Sequence, residues 1–420
     1  MTAGSRSHLF YTGDVMDHNF KNFEFSVDVK TTPGANSGIY IHTEYQDEGW
    51  PAKGYECQVI NSNPPAEGGY MEYKMTGSIY AIRNVWKSPV PDDTWFNYRI
   101  VVQGKTIQTF INDMLAAEYT EPETVYRPES FSGRLLGSGT FAFQCHDPGS
   151  VVYYKNIRVK PLPDDLPTPG IPPDDLEFEK KIIDLAAQNF PLIDLHTHLK
   201  GGLTETTALK QARKYGYTYG IAVNCGLKMG YETDEALKAY LDSITPSPFT
   251  WHAMQAEGRE WLELFSRESR ERFDYVFTDA MTWTNDNGKR MRLWIRDETE
   301  VGDPQGFMDQ LVDRIVRIVT QEPIDIYVNP TYLPAEISER YDELWTEERM
   351  DRVVGALLES GVALEINNKL RIPSPAFLKK AKEAGVKFTL GTNNGGADDL
   401  GRMDYAIETV SYTHLTLPTN

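Results

Sequence analysis

The 420 residues carry 61 acidic against 42 basic side chains, a net charge of −19, with an isoelectric point near 4.9. So acidic a surface repels phosphate backbones and anionic lipid, which argues against nucleic-acid and membrane-surface partners. No run of 18 apolar residues occurs, so no membrane span is expected. Cys57, Cys145 and Cys225 match no zinc spacing and imply no disulfide scaffold. Cys57 and Cys145 fall in two strands free to be neighbours, and buried free thiols are the expectation.

The length predicts two domains. From Phe23 to about residue 160 apolar and polar residues alternate with period two, as in Phe23-Glu24-Phe25-Ser26-Val27-Asp28-Val29. Strands are predicted at 38–42, 55–59, 98–102, 106–111, 139–144 and 156–159, separated by turn signals such as Thr32-Pro33-Gly34. Many short strands at this spacing predict an all-β sandwich or jelly roll over 1–162. Residues 163–176 belong to a run with six prolines from Pro161 and predict an extended, semi-rigid linker.

From 177 to 410 apolar strands alternate with amphipathic helices. Seven strands are predicted, at 192–196, 219–223, 250–257, 274–279, 324–329, 362–367 and 387–391, with helices such as 308–320 and 347–360 between them. The pattern predicts an α/β domain whose parallel sheet closes into a seven-stranded barrel. Polar groups at strand C-terminal ends are then the candidate site.

The first of these strands ends in His196-Thr197-His198. Residues two apart share one strand face, so both imidazoles can reach one cation. His196, His198, Glu257 and Glu365 form a candidate set for zinc, manganese or iron, and such an ion supplies a hydroxide nucleophile. Arg259, Arg290 and Arg292 can clamp an anion or serve as structural ion pairs.

Asp194-Leu195-His196-Thr197-His198, Ala363-Leu364-Glu365-Ile366-Asn367 and Phe388-Thr389-Leu390-Gly391-Thr392-Asn393 together resemble the polymerase and histidinol phosphatase (PHP) superfamily. The resemblance covers about 190–410 and implies a metal-dependent phosphoesterase on a distorted seven-stranded barrel. It departs at Asn329 and Asn393, where the superfamily carries metal-binding His and Asp-x-His. Only His196, His198 and the mid-strand His252 supply imidazoles, so a trinuclear site is not expected. One metal or none stay open. The metal amidohydrolase barrel, which also opens with His-x-His, ranks second because its further His residues are missing.

In the first half, Ala35-Asn36-Ser37-Gly38-Ile39-Tyr40, Gly54-Tyr55-Glu56-Cys57-Gln58, Thr76-Gly77-Ser78-Ile79-Tyr80, Trp95-Phe96-Asn97-Tyr98 and Phe141-Ala142-Phe143-Gln144-Cys145-His146-Asp147 resemble the 3-keto-disaccharide hydrolase domain family. The resemblance spans nearly all of 8–162 and implies a concanavalin-like jelly roll acting on a saccharide. It departs at His42, where many members carry Arg, and a strand ahead of Ser7-His8-Leu9-Phe10 is not seen. A ketone at C3 acidifies the C2 proton; a base removes it, the C1 oxygen leaves, and water adds back. Glu56 and Gln58 share a strand face, as do Gln144 and His146. If those strands adjoin, Glu56 or His146 is the candidate base and Lys74 or His42 stabilises the enolate. Asn36, Gln58, Gln144 and Tyr80 are the candidate substrate-binding residues. A carbohydrate-binding module that targets the barrel to a glycan is the alternative, since this fold is shared with many lectins.

Ser411–Asn420 resembles translated read-through of a sequencing adapter. It is expected not to be native, which removes His414 as a ligand, and the barrel is expected to continue past Val410. No leader is visible, while the family resemblance implies secretion or a periplasmic location. Nothing in the chain predicts an oligomeric state.

Overall fold

The computed structural model describes residues 1–2, 4–63 and 71–413. They form two compact units, Met1–Leu192 with Leu209–Thr218, and Ile193–Ala208 with Tyr219 onward.

Among the described residues the first unit has nine strands: β1 Ser7–Phe10, β2 Phe23–Thr31, β3 Ser37–Thr43, β4 Tyr55–Val59, β5 Phe96–Gln103, β6 Thr106–Ile111, β7 Met114–Thr120, β8 Thr140–Cys145 and β9 Val152–Pro161. They make two antiparallel sheets, ordered β1-β8-β3-β4 and β7-β6-β5-β2-β9. In β2 every second residue from Phe23 to Thr31 is buried and the others are half-exposed, so this sheet has one face on the core and one toward water. Phe141 of β8 meets Phe23 and Phe25 of β2 at ring-centroid distances of 4.9 and 4.8 Å, which closes the core between the sheets. Strands β3 and β4 are buried along their whole length. Ile39, Ile41, Cys57 and Val59 alternate along them with Tyr40, Glu56 and Gln58, so the polar set shares the face opposite the apolar one.

The segment expected as an extended, semi-rigid linker is laid along this unit. Asn22 Nδ2 donates to the Pro163 carbonyl (2.9 Å), Gln103 Nε2 to that of Pro167 (2.7 Å), and Gly170 N to Thr106 Oγ1 (3.1 Å). The helix Leu176–Ala187, N-capped by Asp175, was expected to open the barrel but belongs to the first unit. Its Glu179 is buried and takes two hydrogen bonds from Arg83 Nη2, at 2.8 and 2.9 Å.

The second unit is a closed barrel of β10 Ile193–Thr197, β11 Thr218–Cys225, β12 Thr250–Ala256, β13 Tyr275–Thr278, β16 Ile326–Tyr327, β17 Ala363–Asn367 and β18 Phe388–Gly391. A hairpin, β14 Thr282–Thr284 with β15 Arg290–Arg292, follows β13. Each of the seven predicted strands is present. Ala222, Ala253, Phe277, Ile326 and Val328 form an apolar cluster in this unit. Helices 304–321 and 347–360 start on Asp303 and Thr346, whose side chains accept from the first turn. The last helix, Asp404–Thr413, runs three residues into the segment expected to be foreign, and residues 414–420, His414 included, lie outside the described residues. Among the described residues no helix is long and apolar enough to cross a membrane.

Candidate active-site cleft and candidate metal centre

On the polar face of β3 and β4 lies a cleft of about 520 Å³, lined among others by Tyr40, Glu56, Gln58, Arg134, Gln144 and His146. Strands β4 and β8 do not adjoin, because β3 runs between them. What joins their side chains is Gly38 of β3. A Cβ there would sit 2.5 Å from Glu56 Oε1, so only glycine lets the carboxylate lean across the strand. Gln144 Nε2 donates to Glu56 Oε1 at 2.9 Å and Arg134 Nη2 to Glu56 Oε2 at 3.1 Å. Both carboxylate oxygens are engaged, and Arg134 is itself buried. Burial, and then the charge on Glu56, push the Tyr40 hydroxyl far above its ordinary range, so Tyr40 stays a neutral phenol.

Three buried polar atoms on this cleft have no partner among the described residues: Gln58 Oε1, Gln144 Oε1 and Arg134 Nη1. A buried group that a protein leaves unsatisfied calls for an explanation, and a hydroxylated ligand supplies one. Gln58 Nε2 is fixed by Asn36 Oδ1 at 3.2 Å, which turns its oxygen away from Asn36. At the edge of the cleft His146 Nδ1 bonds Asp147 Oδ2 at 2.8 Å. Asp147 is held by its own Asp-Pro-Gly-Ser turn, with Gly149 N and Ser150 N donating to Oδ1. Burial works against its ionisation, but the bonds from His146 and Ser150 outweigh that and keep the carboxyl below its usual range. The ionised Asp147 selects the Nδ1–H tautomer, leaving the lone pair on Nε2. Trp50 packs on the imidazole, ring centroids 5.4 Å apart.

Two expected enolate stabilisers are not in this cleft. At His42 the register of β3 against β8 shifts and the backbone turns left-handed, φ 52°. The bulge rotates the imidazole toward the core, where it stands edge-on to Phe23 and bonds the Lys21 carbonyl. Burial lowers its pKa to about 4. Lys74 is buried behind the wall: its Nζ donates to Glu72 Oε1 (3.0 Å) and Asn189 Oδ1 (2.7 Å). It supports Glu72, which accepts from the Tyr80 hydroxyl at 2.9 Å. Arg134, by contrast, was missed; it sits in an aperiodic turn region after Glu129–Phe131, and no spacing rule reaches it. Cys57 and Cys145 are free and buried, with β3 between their strands.

In the barrel the four expected ligands are not gathered round one point. His196 Nδ1 bonds Glu365 Oε1 at 2.5 Å, a bond that crosses β18 at Gly391, where any Cβ would collide with that same oxygen. Glu365 Oε2 accepts from Asn329 N (2.7 Å) and Asn367 Nδ2 (3.0 Å). Glu365 therefore orients His196, with both its oxygens engaged in hydrogen bonds. His198 Nδ1 faces the Ala222 carbonyl at 3.1 Å. Glu257 accepts from Gln255 Nε2 (3.0 Å), Asn224 and Thr282. Among the described residues no three His, Cys, Asp or Glu are placed to hold a metal ion. Arg259, Arg290 and Arg292 are structural: they pair with Glu322, Glu260 and Glu298.

Solved structures that match include a protein from Parabacteroides distasonis assigned to the glycosyl hydrolases, 22% identical, covering 38% of this chain and 79% of that one, TM-score 0.33. Others are a carbohydrate-binding module from Bacillus subtilis (12% identical, 38% and 83% covered, TM-score 0.26) and a histidinol phosphate phosphatase from Lactococcus lactis in complex with zinc, L-histidinol and phosphate (14% identical, 53% and 93% covered, TM-score 0.36). No curated protein matches the chain. Over residues 4–160 the chain matches the family described as the 3-keto-alpha-glucoside-1,2-lyase-like domain.

Proposed function

We propose that the sandwich cleaves glycosides already oxidised to a ketone at C3. The carrying observation is the His146–Asp147 pair on a cleft where Arg134 Nη1 has no partner among the described residues. His146 Nε2 takes the C2 proton, and the C2–H electron pair passes into the C2–C3 bond as the ketone becomes an enolate. Arg134 Nη1 donates to that oxygen, as preorganised cations do for developing oxyanions. The enolate then collapses, forming the C1–C2 double bond and expelling the C1 oxygen, which takes a proton from the imidazolium. Water added across the double bond gives the hydrolysed sugar. Glu56 is a poor base because both its oxygens already accept hydrogen bonds; its work is to hold Arg134 and Gln144 in place. Gln58 Oε1 and Gln144 Oε1 supply acceptors for sugar hydroxyls.

The test is aglycone release from a 4-nitrophenyl 3-keto-glucoside by the full chain. His146→Gln is expected to lower kcat about 10²- to 10⁴-fold with folding intact. Release at the wild-type rate would sink the assignment. The ring-lined wall of Tyr40, Trp50, Tyr80 and Phe131 also suits a module that only binds sugar; on that reading the wild-type protein retains the keto-glycoside without releasing nitrophenol.

A further inference from the structure

The sheet face that carries the sandwich cleft continues past it. Gln144 and Ala142 of β8 pair with His8 and Phe10 of β1, and residues two apart share a face. On β3, Tyr40 pairs with Ala142, but the register then shifts, and Thr43 rather than His42 pairs with Thr140. The bulge that turns His42 into the core therefore delivers Thr43 to the cleft face. There a second pocket of about 410 Å³ opens, lined among others by Phe10, Thr43, Glu44, Tyr45, Lys53 and Thr140. Along β8 from Gln144 to Thr140 the two pockets are offset by roughly 13 Å, at about 3.3 Å per residue.

Rings join the two pockets. Trp50 of the first meets His8 with ring centroids 5.5 Å apart, His8 lies 6.2 Å from Phe10, and Phe10 meets Tyr45 of the second at 5.5 Å. Trp50 and Tyr45 stand on one loop, braced by Gln46, which donates to the Trp50 carbonyl at 2.9 Å and accepts from Ala52 N at 3.2 Å. Two buried polar atoms along this strip, His8 Nε2 and Thr43 Oγ1, have no partner among the described residues. Thr43 is itself only 1% exposed. Burial, then the charge on Arg6, lower the pKa of His8 to about 4, so it meets a ligand as a neutral imidazole. Glu44 and Lys53 cancel one another at 3.1 Å. Rings for C–H faces, lone partners for hydroxyls and a self-neutralised ion pair suit a neutral glycan. In the proposed elimination His146 returns its proton to the departing C1 oxygen, and Trp50 packs on His146. The leaving group therefore faces the Trp50 end of the strip.

We infer that the second pocket is an aglycone subsite, and that the substrate is a neutral oligosaccharide oxidised at its non-reducing sugar, whose remaining units run along the rings to Thr43 and Tyr45. This rests on the reading of the cleft as a saccharide site. The full chain is titrated calorimetrically with glucose, cellotetraose and maltotetraose, and assayed in parallel for nitrophenol release from 4-nitrophenyl 3-keto-glucoside. At least one tetrasaccharide is expected to bind about tenfold or more tighter than glucose, and Tyr45→Ala and Thr43→Val are each expected to weaken it about fivefold or more without weakening glucose. Tyr45 is 67% exposed, so its variant folds. Tetrasaccharides that bind no tighter than glucose, or whose affinity is untouched by both variants, overturn the inference. Where nitrophenol is released and chain length counts for nothing, the subsite alone fails; where there is neither release nor saccharide binding, the reading of the cleft fails with it.

Discussion

The sandwich cleft and the barrel mouth use one construction and finish it differently. In each, a glycine on a middle strand lets an acid lean across to a partner on the far side: Gly38 for Glu56 and Gln144, Gly391 for Glu365 and His196. In the sandwich the network stops short and leaves Gln58 Oε1, Gln144 Oε1 and Arg134 Nη1 unsatisfied on the cleft. In the barrel the amides of Asn329, Asn367 and Asn393 engage the carboxylates, while His196 Nε2 and Gln255 Oε1 are left unsatisfied among the described residues. In the sandwich the unsatisfied atoms face one cleft, whereas in the barrel most of the network's donors and acceptors are spent on one another and fix the scaffold.

The strongest way to break this contrast is to unbalance the amide network of the barrel. Asn329→Asp puts a carboxylate against Asp279 and removes the donor it relied on. The barrel is expected to lose about 3–5 kcal/mol, the usual result of an uncompensated buried charge, read as urea unfolding followed by peptide-resolved hydrogen exchange. A loss under about 1 kcal/mol, the size of a neutral hydrogen bond, would mean the amides are not carrying the carboxylates.

Next comes the shared glycine. Gly38→Ala and Gly391→Ala each overpack a strand crossing and are expected to cost about 1–3 kcal/mol, localised to their own unit. They should part company in function: Gly38→Ala displaces Glu56 and with it Arg134, so aglycone release falls, while Gly391→Ala leaves release unchanged. Equal effects on release would erase the distinction between the two sites.

The smallest effect is the opposing pH response. His42 has its pKa lowered by burial from 6.5 to about 4, so between those values the unfolded chain binds more protons, and the sandwich loses stability as pH falls from 6.5 toward 4. In the barrel, burial raises Asp279, and burial followed by Asp279 raises Glu257. At these two carboxyls the folded state binds more protons, so they contribute stability that is lost as pH rises above the ordinary carboxylate range, against His198, which burial lowers and which acts in the same sense as His42. Between pH 5 and pH 7.5 His42→Gln is expected to reduce the loss of sandwich stability at the acid end and Glu257→Gln the loss of barrel stability at the alkaline end; changes of the same sign in the two pH slopes would refute it.

Much of this was legible in advance. Alternation in β2 to β6 and the seven barrel strands follow from which face of each strand must be dry. β7 escaped because Met-Leu-Ala-Ala-Glu-Tyr-Thr has no clean alternation, and it pairs with β6 through a register shift at Thr109/Phe110. Glu56, Gln58, Gln144 and His146 were legible as face-sharing pairs. His42 was not, because one left-handed residue reverses a side chain that parity alone would send to the cleft. Arg134 lines the cleft and Lys74 does not, because their partners, Glu56 for the one and Glu72 with Asn189 for the other, are fixed by tertiary packing rather than spacing. The His-x-His motif named the right strand, but the meaning of its acid lay in the hydrogen bonds around it.

The helix Leu176–Ala187 carries a practical consequence for anyone moving this domain into another protein. The residues that match the family end at 160, and the proline run invites a cut there. A graft trimmed to that boundary would strand the guanidinium of Arg83 in a dry interior without Glu179, and the ammonium of Lys74 without Asn189. The transplantable cassette is the one that keeps the chain through Leu192 and supplies Leu209–Thr218, whose Gly216 carbonyl accepts from the Trp86 indole at 2.7 Å. Portability here is set by where buried charges find their partners, not by where the strands stop.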